Sequence, residues 1–352
     1  MLKSRLCIAF FAFAVGCAPA QKPLTDYVNP MLGTATLWDS VDLGFKPTKR
    51  TWGAEVFPGS SLPNAMVQVS PVTKFHSGAG YQYEDSVIYG FTHTNKGHWN
   101  LCHIPLLPVT GTPTPGDYCS PFSHERESAA PGYYQVFLDR YGVDAQLSST
   151  LRCAFHKYTY PAGAAASLLA DLQRSNEHVR AWDIRKEGDN VFAGWQQTGE
   201  KMYFYAVANR PVTGIEPVVE GDREVRIVRF GEGDGALELR IGFSFVSEKN
   251  ARENLEAEML GKSFAEVRSE ATATWNDLLG RIRVEGGTER EKGLFYSSLY
   301  RSFLWPALRS DVNGEFTDVD GKVINPGFRY YTGPSYWDDY RNKLILLGML
   351  AP

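Results

Sequence analysis

The chain has 352 residues, long enough for two domains, and its 13% aromatic residues, 33 Gly and 20 Pro favour β structure over a helical bundle. A formal net charge of -4 leaves no basic field for nucleic acid, which is therefore not an expected partner.

Residues 1–20 read as an export signal. Lys3 and Arg5 precede the apolar stretch Leu6 to Val15, and Ala18-Pro19-Ala20 offers a small-x-small cleavage site before Gln21. The apolar stretch is too short to span a bilayer. Cleavage before Cys17, in Ala14-Val15-Gly16-Cys17, would instead give a bacterial lipoprotein, and both routes stay open. The expected location is the periplasm, or the outer membrane through a lipid on Cys17, which is the one membrane link expected. Export permits disulfides. Past the signal, Cys102, Cys119 and Cys153 remain, an odd number that allows at most one bridge; three buried apolar thiols are the alternative.

From about Tyr27 to Val246, short stretches separated by Gly, Pro and Asn predict strands. They fall at Ala65–Val69, Ile104–Val109, Tyr133–Leu138, Ala145–Leu151, Phe155–Tyr160, Ser167–Leu172, Val191–Gln196, Tyr203–Ala208, Val225–Phe230 and Leu237–Val246. Many strands with no amphipathic helix between them predict an antiparallel β-sandwich over 21–247.

The period then changes. Ser247 opens a helix through Ala251, Leu255 and Met259, and Ser263-x-x-Glu266 is a capping box before the stripe Phe264, Val267, Ala271, Trp275 and Leu278. These make a helical linker over 248–287, closed by a strand-like Ile282-Arg283-Val284. Thr288-x-x-Glu291 opens a further helix, Glu289 to Leu304, ended by Pro306. A last helix is expected from Tyr336 to Leu350. Two such apolar helices cannot bury their faces on each other alone, so residues 288–352 are expected to be the start of a larger helical domain.

Several motifs carry a family resemblance. Tyr27-Val28-Asn29-Pro30-Met31-Leu32-Gly33-Thr34, Phe57-Pro58-Gly59-Ser60-Ser61-Leu62-Pro63-Asn64, Gly80-Tyr81-Gln82-Tyr83 and Ile88-Tyr89-Gly90-Phe91-Thr92-His93-Thr94 come first. Phe122-Ser123-His124, Pro131-Gly132-Tyr133-Tyr134, Phe155-His156-Lys157-Tyr158-Thr159-Tyr160-Pro161, Trp275-Asn276, Phe295-Tyr296-Ser297-Ser298-Leu299-Tyr300-Arg301 and Trp337-Asp338-Asp339-Tyr340-Arg341 follow. In kind and order they resemble glycoside hydrolase family 92, exo-acting α-mannosidases.

The resemblance implies a mainly β chain with α: an N-terminal antiparallel β-sandwich, a helical linker and an (α/α)6 barrel catalytic domain, here truncated to its beginning. It implies a site between the two domains and calcium-dependent, inverting removal of terminal mannose, usually α-1,2-linked. Inversion needs two carboxylates about 6.5–9.5 Å apart with a water between the base and the anomeric carbon. In the family both carboxylates and the calcium ligands come from later in the helical domain. The general acid and base are therefore expected beyond Pro352, and no catalytic or metal residue is expected within these 352. The implied partner is a mannose-containing glycan, and the complete protein is expected to be a monomer.

Trp337, Asp338 and Arg341 resemble the family's grip on the terminal mannose, Asp338 accepting from hydroxyls and Arg341 orienting it or donating its own hydrogen bonds; Asp339 is a support residue. An i, i+3 ion pair beside a core Trp is the plain alternative. His93, Thr94, His98 and Trp99 resemble the loop that walls the sugar site, with Asn95 and Lys96 departing from the family pattern. His93, His98 and His103 do not share a face in either a strand or a helix, so no metal site is expected there. His76 and His124 are expected at structural or rim positions, and the neighbouring Glu84 and Asp85 are expected to point apart. Two functions follow: a truncated exo-α-mannosidase, or a non-catalytic carbohydrate-binding protein.

Overall fold

A computed structural model describes residues 22–37, 44–46, 54, 56–96, 99–332 and 339–351. The expected signal and its cleavage sites at Cys17 and Ala20 lie outside them. Among the described residues no helix is long and apolar enough to cross a membrane.

Two large antiparallel sheets account for residues 60–244. The seven-stranded sheet runs, edge to edge, Ser60–Ser61, Gln68–Val72, Gly90–Thr92, Leu106–Val109, Ser167–Ala170, Arg223–Phe230 and Val212–Glu220. The eight-stranded sheet runs Ala181–Gly188, Val191–Gln197, Lys201–Ala208, Leu237–Ser244, Cys153–Thr159, Val143–Ser149, Tyr133–Leu138 and Glu127–Ala130. One apolar core draws on both, with Val69, Phe91, Leu107 and Ile227 from the first and Val136, Leu147, Phe204 and Ile241 from the second. Burial alternates along Lys201–Ala208, where every second residue is buried, whereas Gln68–Val72, Leu106–Val109 and Ser167–Ala170 are buried on both faces.

The chain turns helical at Ser247, whose side chain accepts from Asn250 N and caps Glu248–Glu258. Leu255 and Met259, with Phe264 and Val267 of the next helix, cover Phe155, Cys153 and Tyr133 on the outer face of the eight-stranded sheet. That contact is backbone-close: a Cβ on Gly242 would stand 2.1 Å from Ala251 O. Phe264–Leu279 and Glu289–Ser302 each start at a complete capping box, Ser263 with Glu266 and Thr288 with Glu291. Their apolar faces meet the start of the chain, where Leu24, Val28, Phe57 and Leu62 pack with Trp275, Leu279, Tyr296 and Phe303.

Polar bonds fasten the same junction. Trp275 Nε1 donates to Ser61 O at 2.7 Å, Asn276 Oδ1 accepts from Thr25 N at 3.1 Å, Ser297 Oγ accepts from Asn29 N at 2.9 Å, and Arg301 donates to the carbonyls of Pro30 and Leu32. Behind the linker, the buried Asp311 carboxylate accepts from Ser244 Oγ, Asn250 Nδ2 and Asn254 Nδ2. Burial pushes Asp311 above the usual carboxylate range, and those three donors oppose the push.

Two expectations are corrected and two are resolved. Ile282-Arg283-Val284 is a loop, because among the described residues no strand lies beside it and its backbone turns to a side chain, Tyr296 Oη accepting from Val284 N and donating to Ile282 O. The last helix is Lys343–Leu350 rather than a run from Tyr336, since Asn342 at φ 62° breaks the helical path; residues 336–338 are outside the described residues. Cys102, Cys119 and Cys153 form no bridge, Cys102 and Cys153 being buried as free thiols. Glu84 and Asp85 do diverge, but from a turn rather than a strand: Glu84 accepts from Thr36 and Asp85 from Thr73.

Candidate functional site

The loop expected to wall the sugar site is a small hairpin. Asn95–Lys96 pairs antiparallel with Trp99–Asn100, and its base is clamped by Leu101 N to Thr94 O at 3.1 Å and His93 N to His103 O at 3.2 Å. Trp99, paired with Lys96, has 52% of its surface exposed and carries an amphipathic ring. Residue His98 lies outside the described residues.

His93 and Thr94 do not share that exposure. His93 is wholly buried, its Nε2 3.1 Å from His156 Nε2, and its ring lies 4.5 Å from that of Phe243. His156 Nδ1 in turn bonds Tyr158 Oη at 2.5 Å. Burial brings the His93 pKa down to about 3 and His156 well below its ordinary value, the second lowered further by its neighbour. Thr94 Oγ1 is turned to His103 Nδ1 at 2.9 Å. The expectation that His93 and Thr94 touch a sugar is therefore corrected. They sit beneath the wall, because the strand ending at Thr92 carries them into the shared core, and Trp99 remains as the exposed member.

His103 continues the support. Its Nε2 meets Glu177 Oε2 and Thr198 Oγ1, each at 3.0 Å, and Thr198 Oγ1 donates to the same carboxylate at 2.6 Å. Ser175 Oγ donates to Leu101 O and Asn176 Nδ2 to Asn100 O, both at 2.6 Å. Gln196 holds the next residue, its Oε1 accepting from Ile104 N at 2.8 Å while its Nε2 donates to Leu172 O and Arg174 O. This fastening holds Cys102 at φ 54° and the β-branched Ile104 at φ 53°, a left-handed conformation that costs on the order of 1–3 kcal/mol each and persists only where the surroundings dictate it. Sequence spacing does not reveal these supports, because Glu177, Gln196 and Thr198 lie 74, 92 and 95 residues from the loop positions they hold.

A second polar centre gathers three of the quoted motifs. The buried Glu127 carboxylate accepts from Tyr81 Oη at 3.0 Å and Tyr134 Oη at 2.5 Å and meets His124 Nδ1 at 2.5 Å. His124 also stacks on Tyr83 with centroids 3.8 Å apart, a structural position as expected. The exposed His76 adopts φ 58° and has its backbone N–H on Asn176 Oδ1.

Of the chain's last cluster, Trp337 and Asp338 lie outside the described residues. Asp339 is buried and bonds Lys343 Nζ at 2.9 Å. Arg341 is exposed, with Nε donating to Tyr340 Oη at 2.6 Å. Pro352, beyond which the general acid and base are expected, is itself outside the described residues, which end at Ala351. Among the described residues no three His, Cys, Asp or Glu side chains converge as metal ligands.

The model of the glycosyl hydrolase family 92 N-terminal domain matches residues 27–254, and that of the family's catalytic domain matches 250–352. A family GH92 α-mannosidase from Bacteroides thetaiotaomicron superposes with a TM-score of 0.83 at 26% identity, over 93% of this chain and 47% of that one; a structure of it in complex with mannoimidazole gives 0.82. The GH92 glycosyl hydrolase ccman5 gives 0.79 at 26% identity, over 92% of this chain and 47% of that chain. A protein of Arthroderma benhamiae described as an uncharacterized secreted glycosidase is 24% identical over 344 residues, 82% of this chain and 42% of its own length. The chain thus spans less than half the length of each of these relatives. Matched along both its sheet and its helical parts, the chain belongs to glycosyl hydrolase family 92.

Proposed function

We propose that this chain is the recognition half of an exported, inverting, calcium-dependent exo-α-mannosidase that removes terminal mannose from glycans. In this reading the two sheets form the N-terminal β-sandwich, residues 248–287 the linker, and residues 288–352 the opening of an (α/α)6 barrel. The observation that carries it is the superposition of 93% of the chain on a GH92 α-mannosidase also solved with mannoimidazole. Trp99 stacks on the sugar next to the scissile bond, Trp337, Asp338, Arg341 and His98 hold hydroxyls, and His93, Thr94 and His103 keep the Trp99 hairpin in place. The general acid, the general base and the calcium ligands belong to the part of the relatives' length that lies beyond the equivalent of Pro352.

The test is mannose release from an α-1,2-linked mannobioside by the purified 352-residue chain, with binding followed by calorimetry. Loss of even one acid or base group lowers rates by about 10² to 10⁴, so binding without measurable release is expected, weakened several-fold by Trp99→Ala. Calcium-dependent release by this chain would overturn the placement of the acid and base beyond Pro352. Absence of binding to any α-mannoside by the folded chain would overturn the recognition role.

A further inference from the structure

Residues 173–180 cross from the seven-stranded sheet to the eight-stranded one, and they line, with the start of the strand Ala181–Gly188, a cavity of about 770 Å³. That volume falls within the roughly 300–1,000 Å³ of small-ligand sites. Arg174, Arg180 and Arg223 all line it, and Glu177 is the one carboxylate among the lining residues.

The charges do not balance. Arg174 and Arg223 share a single buried carboxylate, Asp171 Oδ2, at 4.0 and 2.7 Å. Glu177 is taken up by Thr198 and His103. Arg180 is exposed, and its guanidinium has no hydrogen-bond or ion-pair partner among the described residues. Arg174 is held in place from below by Tyr118 Oη at 3.2 Å and by the ring of Phe75, 4.8 Å from its guanidinium carbon, so the charge is presented on a fixed side chain.

The same cavity contains an indole. Trp182 is half-buried at the edge of the eight-stranded sheet, with Arg226 5.3 Å from its ring centre. A guanidinium fork matches a carboxylate or phosphate in shape and charge, whereas an indole matches the apolar face of a sugar ring. Part of the Trp182 ring packs against the core; a neutral sugar would leave the surplus charge unmatched, and a bare anion would make no contact with the part of the indole that stays exposed.

We propose that this cavity is a subsite for a sugar bearing an oxyanion, either a phosphate ester or a uronic carboxylate, with Arg180 contacting the anion and Trp182 the ring. It adjoins the Trp99 hairpin through Ser175 and Asn176, whose side chains hold Leu101 and Asn100. Resting on the mannosidase reading, the subsite makes the preferred glycan an anionic mannan, its charged unit held here while the sugar next to the scissile bond lies at Trp99.

Calorimetry on the 352-residue chain with mannose 6-phosphate, mannuronic acid, mannose and inorganic phosphate tests this, with Arg180→Gln and Trp182→Ala as variants. Arg180 is exposed, so its replacement leaves the fold intact. One of the two anionic sugars is expected to bind at least about tenfold more tightly than mannose, and the one that does identifies the anion. Arg180→Gln removes about that factor, added salt weakens the binding as it screens the charge, and Trp182→Ala weakens the anionic sugar but not inorganic phosphate. Equal binding of mannose and both anionic sugars, or no effect of Arg180→Gln, overturns the proposal. Inorganic phosphate bound as tightly as the sugar overturns the part assigned to Trp182. The mannosidase reading fails separately, in the neutral mannoside arm, which responds to Trp99→Ala and not to Arg180→Gln.

Discussion

At the scale of single residues, the buried imidazole pair sets a limit on acid stability. His93 is held at about 3 and His156 well below its ordinary value, chiefly because burial disfavours the charged ring. In the unfolded chain both titrate near 6.5. Between these values the unfolded state takes up protons that the folded state refuses, so the stabilisation is fully present above pH of about 6.5 and is lost as pH falls toward 3. The expected outcome is a urea midpoint that falls steadily over this range. His93→Leu should flatten the slope of unfolding free energy against pH by about one proton; an unchanged slope would show that His93 is not the group responsible. His93 also shows where the motif was readable and its role was not. The resemblance marked the position, but whether an imidazole faces a sugar or a second imidazole depends on His156, 63 residues away, and no local pattern reports that distance. Trp99, ten residues or fewer from both His93 and His103, is by contrast half exposed.

At the scale of elements, legibility followed the number of constraints on each segment. The strand Tyr133–Leu138 has its expected bounds and the capped helices begin where their boxes place them, because alternation and capping each record a local physical demand. Ala181–Gly188 and Val212–Glu220 have no such signal in the sequence. Each lies at an edge of its sheet and is mostly exposed or half-buried, and the charged Asp183-Ile184-Arg185-Lys186-Glu187 stretch suits an edge that must not recruit another strand. Such strands lack the one-sided burial that makes alternation visible. The linker supplies a sharper test. Gly242→Ala would drive a methyl against the carbonyl of Ala251, so the helix Glu248–Glu258 must shift off the sheet, at a cost of about 1–3 kcal/mol. Ser263→Ala, which removes half of a capping box, should cost about 1 kcal/mol. Chemical denaturation of both variants checks the order, and equal small losses would mean that the helix has room the structure denies it.

For the molecule as a whole, the core between the two sheets is filled from both sheets and their loops, with Phe245 and Leu308 from beyond them, while the last described helix keeps apolar surface exposed. Leu346, Leu347 and Leu350 pack against the helices before them, yet Ile345 and Met349 on the same short helix are 63% and 74% exposed. Such a face promotes association in water. The 352-residue chain is expected to self-associate with rising concentration, and Ile345→Glu with Met349→Glu together should shift its sedimentation profile toward the monomer without lowering the thermal midpoint. An unchanged profile would place the association elsewhere. The bonds from Thr25, Asn29 and Pro30 to Asn276, Ser297 and Arg301 have a further consequence in time. Their partners are separated by 251, 268 and 271 residues of chain. At a synthesis rate of about 5–20 residues per second, the segment around Thr25 to Pro30 waits roughly 13–54 s before its partners exist, so it can be fastened only after the strands of both sheets have been made.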